Sequence, residues 1–117
     1  MLLANGGAMV TAVLGVLALL FPIAVARVLG VEAKNPLGNS ELRATYGGFF
    51  IGLGVGCWLA QSSTVFAVVG GAWCAAGCVR LLTIFFEHSR STENVFGAAV
   101  ELAIGFAMLS SIYSFGY

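Results

Sequence analysis

Four ionisable side chains interrupt the otherwise apolar stretches of this 117-residue chain, and their types suit them to chemistry. They are Glu41, Arg43, Arg80 and Glu101. If these stretches cross a membrane, a charge near the centre of a helix costs about 2.5–3.5 kcal/mol on insertion scales. Such residues therefore usually face the protein interior, where they form ion pairs, bind ligands or transfer protons.

The spacing of Arg80 and Glu101 predicts an ion pair between adjacent helices. The polar segment between their apolar stretches has its midpoint near Arg90 and Ser91, and the two residues lie at nearly equal distances on either side of it. At a rise of 1.5 Å per residue, both lie on the order of 10 Å from the helix ends. Opposite charges at the same depth on antiparallel neighbours are expected to pair.

Glu41, Arg43 and Tyr46 begin another apolar stretch, at the same end as Arg80 and Glu101. Two interpretations of these five residues remain open. In the first, they form a charge-balanced clamp that holds the helices in register, and loss of one partner costs roughly 3–5 kcal/mol. In the second, they surround a polar pocket that opens at the charged end and binds a lipid or quinone head group or transfers a proton.

The sequence carries no catalytic or metal-binding pattern. The chain has no Asp, which excludes a Ser-His-Asp triad, and its one histidine, His88, lies in a polar loop. Cys57, Cys74 and Cys78 lie within apolar stretches, without further Cys or His at the spacing of metal ligands. We therefore predict no metal and no cofactor, and a role that is not enzymatic. A membrane enzyme acting on a lipid or quinone head group is the remaining catalytic alternative.

The elements that must position these residues are membrane-spanning helices. The chain is 60% hydrophobic and 9% charged, with a mean hydropathy of +1.01, whereas soluble domains are about 25% charged. About 20 apolar residues form a helix that crosses a hydrocarbon core of roughly 30 Å. We predict a single all-α domain over residues 1–117, an antiparallel four-helix membrane bundle with short loops. The predicted spans cover residues 3–20, 41–60, 65–86 and 95–113.

The two halves of the chain show a weak similarity that indicates a possible helix-hairpin repeat. Arg27-Val28-Leu29 precedes Glu41 at about the spacing at which Arg80-Leu81-Leu82 precedes Glu93. Each half then reads as a helix, a basic residue, a loop and a helix that begins with Glu. Duplicated hairpins are common in membrane proteins.

Local signals predict where the helices end. Pro22 interrupts the first pattern, so residues 21–29 are expected either to continue as a kinked helix or to turn into the membrane interface. Asn35-Pro36, followed by Gly38, predicts a turn. The expected capping residues are Asn39 or Ser40 for the second span and Ser91 or Thr92 for the fourth.

Small residues at helical spacing predict the faces on which the helices pack. In the second span, a stripe of glycines continues the row that begins at Glu41 and Thr45. In the fourth span, two glycines flank Glu101 on one row. The predicted helix-packing residues are Gly47, Gly48, Gly52, Gly56, Gly97 and Gly105.

The basic loop residues predict the orientation of the chain. Arg27, Lys34 and Arg90 all belong to connections at one end of the predicted bundle, and the other end has no Lys or Arg. Basic loops stay in the cytoplasm. The charged end is therefore predicted inside and both chain termini outside.

The segment Glu41-Leu42-Arg43-Ala44-Thr45-Tyr46-Gly47-Gly48, together with Arg80 and Glu101, resembles a family of small bacterial membrane proteins with four spans. That family is catalogued as a domain of unknown function and is distantly similar to the DoxX-like membrane proteins. The resemblance implies a four-helix bundle in the bacterial inner membrane, defined by these positions. DoxX-like proteins resemble accessory subunits of other membrane proteins.

The sequence favours a non-catalytic accessory or structural subunit of a larger membrane complex, because the loops are short and no catalytic set is present. The alternative is a small oligomeric transporter, or a protein that binds a proton, lipid or quinone in an inward-facing Glu/Arg pocket. The expected partners are the lipid bilayer and either other membrane subunits or further copies of the chain. Without a basic cluster, nucleic acid is not expected as a partner.

Overall fold

The computed structural model describes residues 2–29, 31, 32, 34–86 and 91–114, and within these residues all regular structure is helical. His88 and Arg90, which the sequence places in the charged loop, lie outside the described residues. The helices are α1 (Leu2–Leu20), α2 (Pro22–Leu29), α3 (Pro36–Leu42), a π-helical segment (Arg43–Phe49), α4 (Phe50–Ala60), α5 (Ser63–Phe86), α6 (Thr92–Leu109) and α7 (Ser111–Ser114).

Three of the described helices, α1, α5 and α6, are long and apolar enough to cross a membrane. Their outward faces carry large apolar side chains, and Met9, Val68 and Phe106 are each more than 60% exposed. Soluble monomers rarely expose contiguous apolar surface on this scale. The exposed apolar surface of these helices is therefore compatible with a membrane protein.

Helix α1 packs against α4 on one side and α6 on the other, and α5 packs along α6. The paired helices run antiparallel and approach closely at glycines. A Cβ placed at Gly54 would lie 2.6 Å from the carbonyl oxygen of Ala8, and one at Gly105 would lie 2.9 Å from that of Gly70. Small residues at such points allow backbones to touch, which is how helices in lipid gain packing contacts.

The core lies where α1, α4, α5 and α6 meet, and Trp73 is at its centre. The indole Nε1 of Trp73 donates a hydrogen bond to Thr11 Oγ1 at 3.1 Å, and its ring meets Phe50 edge-on with centroids 5.0 Å apart. Thr11 in turn donates to the carbonyl of Gly7 at 2.8 Å. The buried polar atoms of this pair are thus satisfied, as an apolar interior requires.

One end of the molecule is closed by uncharged polar contacts. The side-chain amides of Asn5 and Gln61 exchange two hydrogen bonds, at 2.6 and 3.2 Å, and Ser111 Oγ donates to the carbonyl of Ser63 at 3.3 Å. Gln61 ends α4 in the left-handed conformation, with φ 46°. The start of α1, the α4–α5 connection and the end of α6 therefore lie together.

The described helix ends correct two local predictions. The Asn35-Pro36 pair is not a turn between helices: it starts α3, because the Asn35 side chain accepts from the Gly38 N–H at 2.8 Å and Pro36 occupies the first helical position. Asn39 and Ser40 consequently lie inside the helix and do not cap it. In contrast, Ser91 is confirmed as the cap of α6, since its hydroxyl accepts from the Asn94 N–H at 3.1 Å.

Pro22 separates α1 from α2, but helical hydrogen bonds continue across the break. α1 stops at Leu20 and α2 starts at Pro22, yet Phe21 N–H still donates to the Leu17 carbonyl and Val25 N–H to the Phe21 carbonyl. The chain thus stays helical across the proline, with one missing donor at Pro22 itself.

No described helix packs on the face formed by Gly48, Gly52 and Gly56, which the sequence predicts as helix-packing residues. All three glycines are exposed, and a Cβ at any of them would meet no atom within 4 Å. The buried residues of this region include Leu42 and Gly47, which are five positions apart, the spacing of a π turn. In a regular helix with 3.6 residues per turn, two residues five positions apart do not lie on one face. The row of glycines that continues from Glu41 at regular helical spacing therefore lies on the exposed side of the helix.

Candidate functional site

Arg80 of α5 joins the two helices that pack most extensively on each other. Its Nε donates to Glu101 Oε1 at 2.6 Å, and its Nη1 donates to Asn94 Oδ1 at 3.1 Å. The side chains of Arg80 and Glu101 are 27% and 14% exposed, so the pair is shielded but reachable. The ion pair predicted from the spacing of these residues around the α5–α6 connection is confirmed.

Neighbouring groups hold the guanidinium in one orientation. Asn94 Nδ2 donates to Thr83 Oγ1 at 3.2 Å, and Thr83 donates to the carbonyl of Arg80 at 2.8 Å. A Cβ at Gly97 would lie 3.0 Å from Arg80 Cζ, so the guanidinium rests against a residue without a side chain. Gly97, predicted as a helix-packing residue, thus makes room for a charge.

A cavity of about 370 Å³ lies beside this cluster. Its walls are mainly apolar, with aliphatic side chains from α1, α2 and α6. On α5 it extends from Trp73 to Arg80, which are two helical turns, or roughly 10 Å, apart along the axis. The polar side chains that line it are Tyr46, Arg80, Glu93 and Glu101.

Aromatic rings form much of the cavity lining. The Tyr46 and Phe50 rings meet edge-on at 5.8 Å, and Phe50 continues to Trp73. Phe21 and Phe96 also line the cavity but are 57% and 59% exposed. These two side chains mark a rim that opens to the surroundings of the helices, so an apolar molecule has an apolar entrance.

The structure brings together three of the five residues predicted to form the polar cluster. Tyr46, Arg80 and Glu101 line the same cavity, whereas Glu41 and Arg43 are exposed and do not line it. The reason is the π-helical segment: Leu42 is buried and Tyr46 is turned toward the cavity, which leaves Glu41 and Arg43 on outward faces. The predicted five-residue pocket is corrected accordingly.

Two residues that the sequence pattern did not single out belong to the site. Asn94 binds Arg80, and Glu93 lines the cavity. Asn94 lies two helical turns before Glu101 on the same face of α6, and this spacing is a signal that was present in the sequence. Glu93 is also an acidic residue in the first turn of α6, where the helix dipole favours a carboxylate.

The polar groups of the cavity are few. Its described polar groups are one guanidinium, two carboxylates and one phenol. Among the described residues, no three His, Cys, Asp or Glu side chains are grouped to hold a metal ion. The arrangement offers hydrogen-bond partners at one end of an apolar cavity, which is the pattern of small-molecule sites that fix the orientation of a ligand.

Comparison with known proteins identifies a family but no activity. No curated protein and no solved structure is detectably similar to the chain. One family model matches it over residues 3–111. By that match the chain belongs to the family described as domain of unknown function DUF4345.

Proposed function

We propose that this protein binds an amphipathic molecule of the bilayer in the cavity beside Arg80, and that it has no catalytic activity. The observation that carries the proposal is the cavity of about 370 Å³, which is apolar except for Tyr46, Arg80, Glu93 and Glu101. Its volume falls at the lower end of the roughly 300–1,000 Å³ found for small-molecule sites. The exposed rim at Phe21 and Phe96 gives such a ligand a path from lipid.

The proposal includes a four-helix bundle with four spans in the bacterial inner membrane. The helical run from Pro36 to Ala60 provides the second crossing, and its antiparallel packing along α1 supports this assignment. The resemblance to DoxX-like membrane proteins supports the same architecture. The charged end then faces the cytoplasm, and the cavity lies in the inner half of the bilayer.

Binding accounts for the site better than transport does. The cavity reaches Trp73, and beyond it the core is filled by Phe66 and Met108, each 0% exposed. A conduit needs polar groups or water along its length, and these buried side chains are apolar. Because the cavity is closed beyond Trp73, a ligand is expected to enter and leave through the rim at Phe21 and Phe96.

The proposal is tested by filling the cavity. Val100 lines it, whereas Val95 lies on the same helix with 51% exposure outside the lining. The full-length protein is purified in mild detergent and examined by native mass spectrometry. We expect one bilayer molecule per chain on the wild type and on Val95→Trp, and its loss from Val100→Trp.

Ala24→Trp fills the same cavity from α2. It is a second, independent variant in case Val100→Trp does not fold. Circular dichroism checks that each variant keeps its helices. A wild-type protein without a bound molecule, or a bound molecule retained by both filled variants, would contradict the proposal.

A second function, that of an accessory subunit of a larger membrane complex, rests on a different observation. Gly48, Gly52 and Gly56 form an exposed face of the π-helical segment and α4, and no described helix packs on it. Glycines at this spacing let the backbone of another helix approach closely in lipid. A transmembrane helix of a partner subunit is the occupant that this reading requires.

Affinity purification from native membranes tests the accessory role. A partner should co-purify with the wild type and be lost with Gly52→Leu, while Val68→Leu, on the lipid-exposed face of α5, keeps it. If the wild-type chain purifies without a partner from several extractions that preserve lipid, the accessory role is contradicted.

A further inference from the structure

The charges on the cavity wall restrict which head groups can bind. Among the described lining residues, the guanidinium of Arg80 is matched by Glu101 at 2.6 Å, and Glu93 adds a second carboxylate. The wall therefore carries one net negative charge. A phosphate or carboxylate head group would be placed near Glu93, and the described lining offers no unpaired cation to balance it. Like charges in a partly desolvated site repel strongly.

Two donors on the cavity wall remain available beside the carboxylate oxygens of Glu93 and Glu101. Arg80 uses Nε and Nη1 on Glu101 and Asn94, and its Nη2 has no partner among the described residues. Tyr46 also lines the cavity, and its side chain makes no described hydrogen bond. A neutral oxygen acceptor on the ligand satisfies these donors without adding charge.

The size and shape of the cavity restrict the ligand further. About 370 Å³ holds one ring system or one glycerol-ester group, with an apolar tail leaving past Phe21 and Phe96 into lipid. The rings of Tyr46, Phe50 and Trp73 provide flat surfaces beside that position. We infer that the ligand is an uncharged lipid whose carbonyl oxygen accepts a hydrogen bond from Arg80, and that Glu93 and Glu101 make the binding of anionic lipids weaker. This inference rests on the proposed function of the cavity.

Trp73 serves as the reporter in the experiment that tests this inference. It is buried and lines the cavity, while the other tryptophan, Trp58, is 62% exposed. The full chain with Trp58→Phe is placed in phosphatidylcholine nanodiscs. Three probes are titrated separately: a prenyl quinone, diacylglycerol with brominated chains, and phosphatidylglycerol with brominated chains. Quinones and bromine both quench tryptophan on close contact.

We expect saturable quenching of Trp73 by at least one neutral probe, and the quinone and diacylglycerol arms separate the two sources of a carbonyl acceptor. Half-saturation by phosphatidylglycerol should need about five- to tenfold more lipid, because of the net negative wall. Glu93→Gln should reduce that difference to about twofold. The matched control is Glu41→Gln, which removes an exposed carboxylate outside the lining of the cavity and should leave the ratio unchanged.

The outcomes separate the two levels of the proposal. Quenching that rises without saturation for every probe overturns both the binding function and this inference. Saturation by phosphatidylglycerol at least as tight as by the neutral probes keeps the binding function and overturns the charge argument. If Glu93→Gln and Glu41→Gln change the ratio of half-saturation between phosphatidylglycerol and the neutral probes equally, the charge argument is also overturned.

Discussion

Arg80 shows how a charge is accommodated within an apolar helix pair. Its guanidinium binds one carboxylate and one amide oxygen, both on α6, and rests against Gly97. Hydrogen bonds between charged groups are roughly twice as strong as neutral ones, particularly away from water. The same contacts leave one edge of the guanidinium beside the cavity, so a residue that stabilises the α5–α6 pair is also available to a ligand. The clamp and the pocket are thus two uses of one side chain.

We expect Arg80→Ala and Glu101→Ala each to lower the free energy of unfolding by about 2 kcal/mol. This value is below the roughly 3–5 kcal/mol of fully buried pairs, because both side chains are partly exposed. The double variant should cost at least 1 kcal/mol less than the sum of the two, since it leaves no unpaired charge. Unfolding by SDS in mixed micelles, followed by circular dichroism, gives these values.

Arg43→Ala is the matched control for this cycle, because Arg43 is an exposed arginine at the same end of the molecule. Its effect should stay within about 0.5 kcal/mol, as for surface substitutions generally. Fully additive losses for Arg80→Ala and Glu101→Ala would show that the two side chains are not coupled in the folded protein.

The sequence correctly predicts the ion pair whose two residues lie at equal numbers of positions from one loop. Arg80 and Glu101 lie at equal depth because α5 and α6 are regular helices joined by a short connection. Glu41 and Arg43 were assigned to the same cluster from their depth alone. Depth does not determine which way a side chain points, and that direction depends on a π turn for which no reliable sequence signal exists.

The π-helical segment Arg43–Phe49 explains why one helix presents two unlike faces. Gly47 lies against Leu19 of α1, and Tyr46 reaches the cavity, whereas Gly48 on the adjacent position faces outward. π turns widen a helix locally and are frequent at functional sites. Here the segment with the widened turn contributes Tyr46 to the cavity lining, and the following helix α4 packs on α1.

Two glycines on α4 provide a matched pair of substitutions. A Cβ at Gly54 would lie 2.6 Å from the carbonyl oxygen of Ala8 and 2.7 Å from Ala12, so Gly54→Ala must push α1 and α4 apart. We expect a loss of about 1–3 kcal/mol in the free energy of unfolding, typical of overpacking. Gly52→Ala meets nothing within 4 Å and should raise stability by up to about 1 kcal/mol, through helix propensity.

The same micelle unfolding measurement compares Gly54→Ala with Gly52→Ala. Equal effects of the two substitutions would contradict the described packing of α4 on α1. If Gly52→Ala destabilises only when a partner or second chain is present, the exposed glycine face is an interface, which connects this comparison to the accessory role.

At the scale of the whole molecule, polar groups are divided between two unlike ends. Every described Lys, Arg and Glu lies at or toward the end that holds Arg80, Asn94 and the start of α3, and the described side-chain contacts at the opposite end are neutral, such as that of Asn5 with Gln61. The Cα atoms extend 46 Å along the long axis, close to the roughly 40–45 Å of a bilayer with its head groups. The unequal distribution of basic residues predicts one orientation of the chain in a membrane.

Cysteine labelling in cells tests that orientation. In a background without Cys57, Cys74 and Cys78, Ser62→Cys marks the neutral end and Ser40→Cys the charged end; both positions lie outside the apolar core of the helices. In the proposed orientation, Arg27 and Lys34 are cytoplasmic, so a membrane-impermeant maleimide should label Ser62→Cys in intact cells and Ser40→Cys only after permeabilisation. Replacing Arg27 and Lys34 by Gln should weaken this asymmetry, while replacing Glu41 by Gln should not, since acidic residues contribute little to orientation. Labelling of both cysteines in intact cells, or of Ser40→Cys alone, would contradict the orientation and would move the cavity to the outer half of the bilayer.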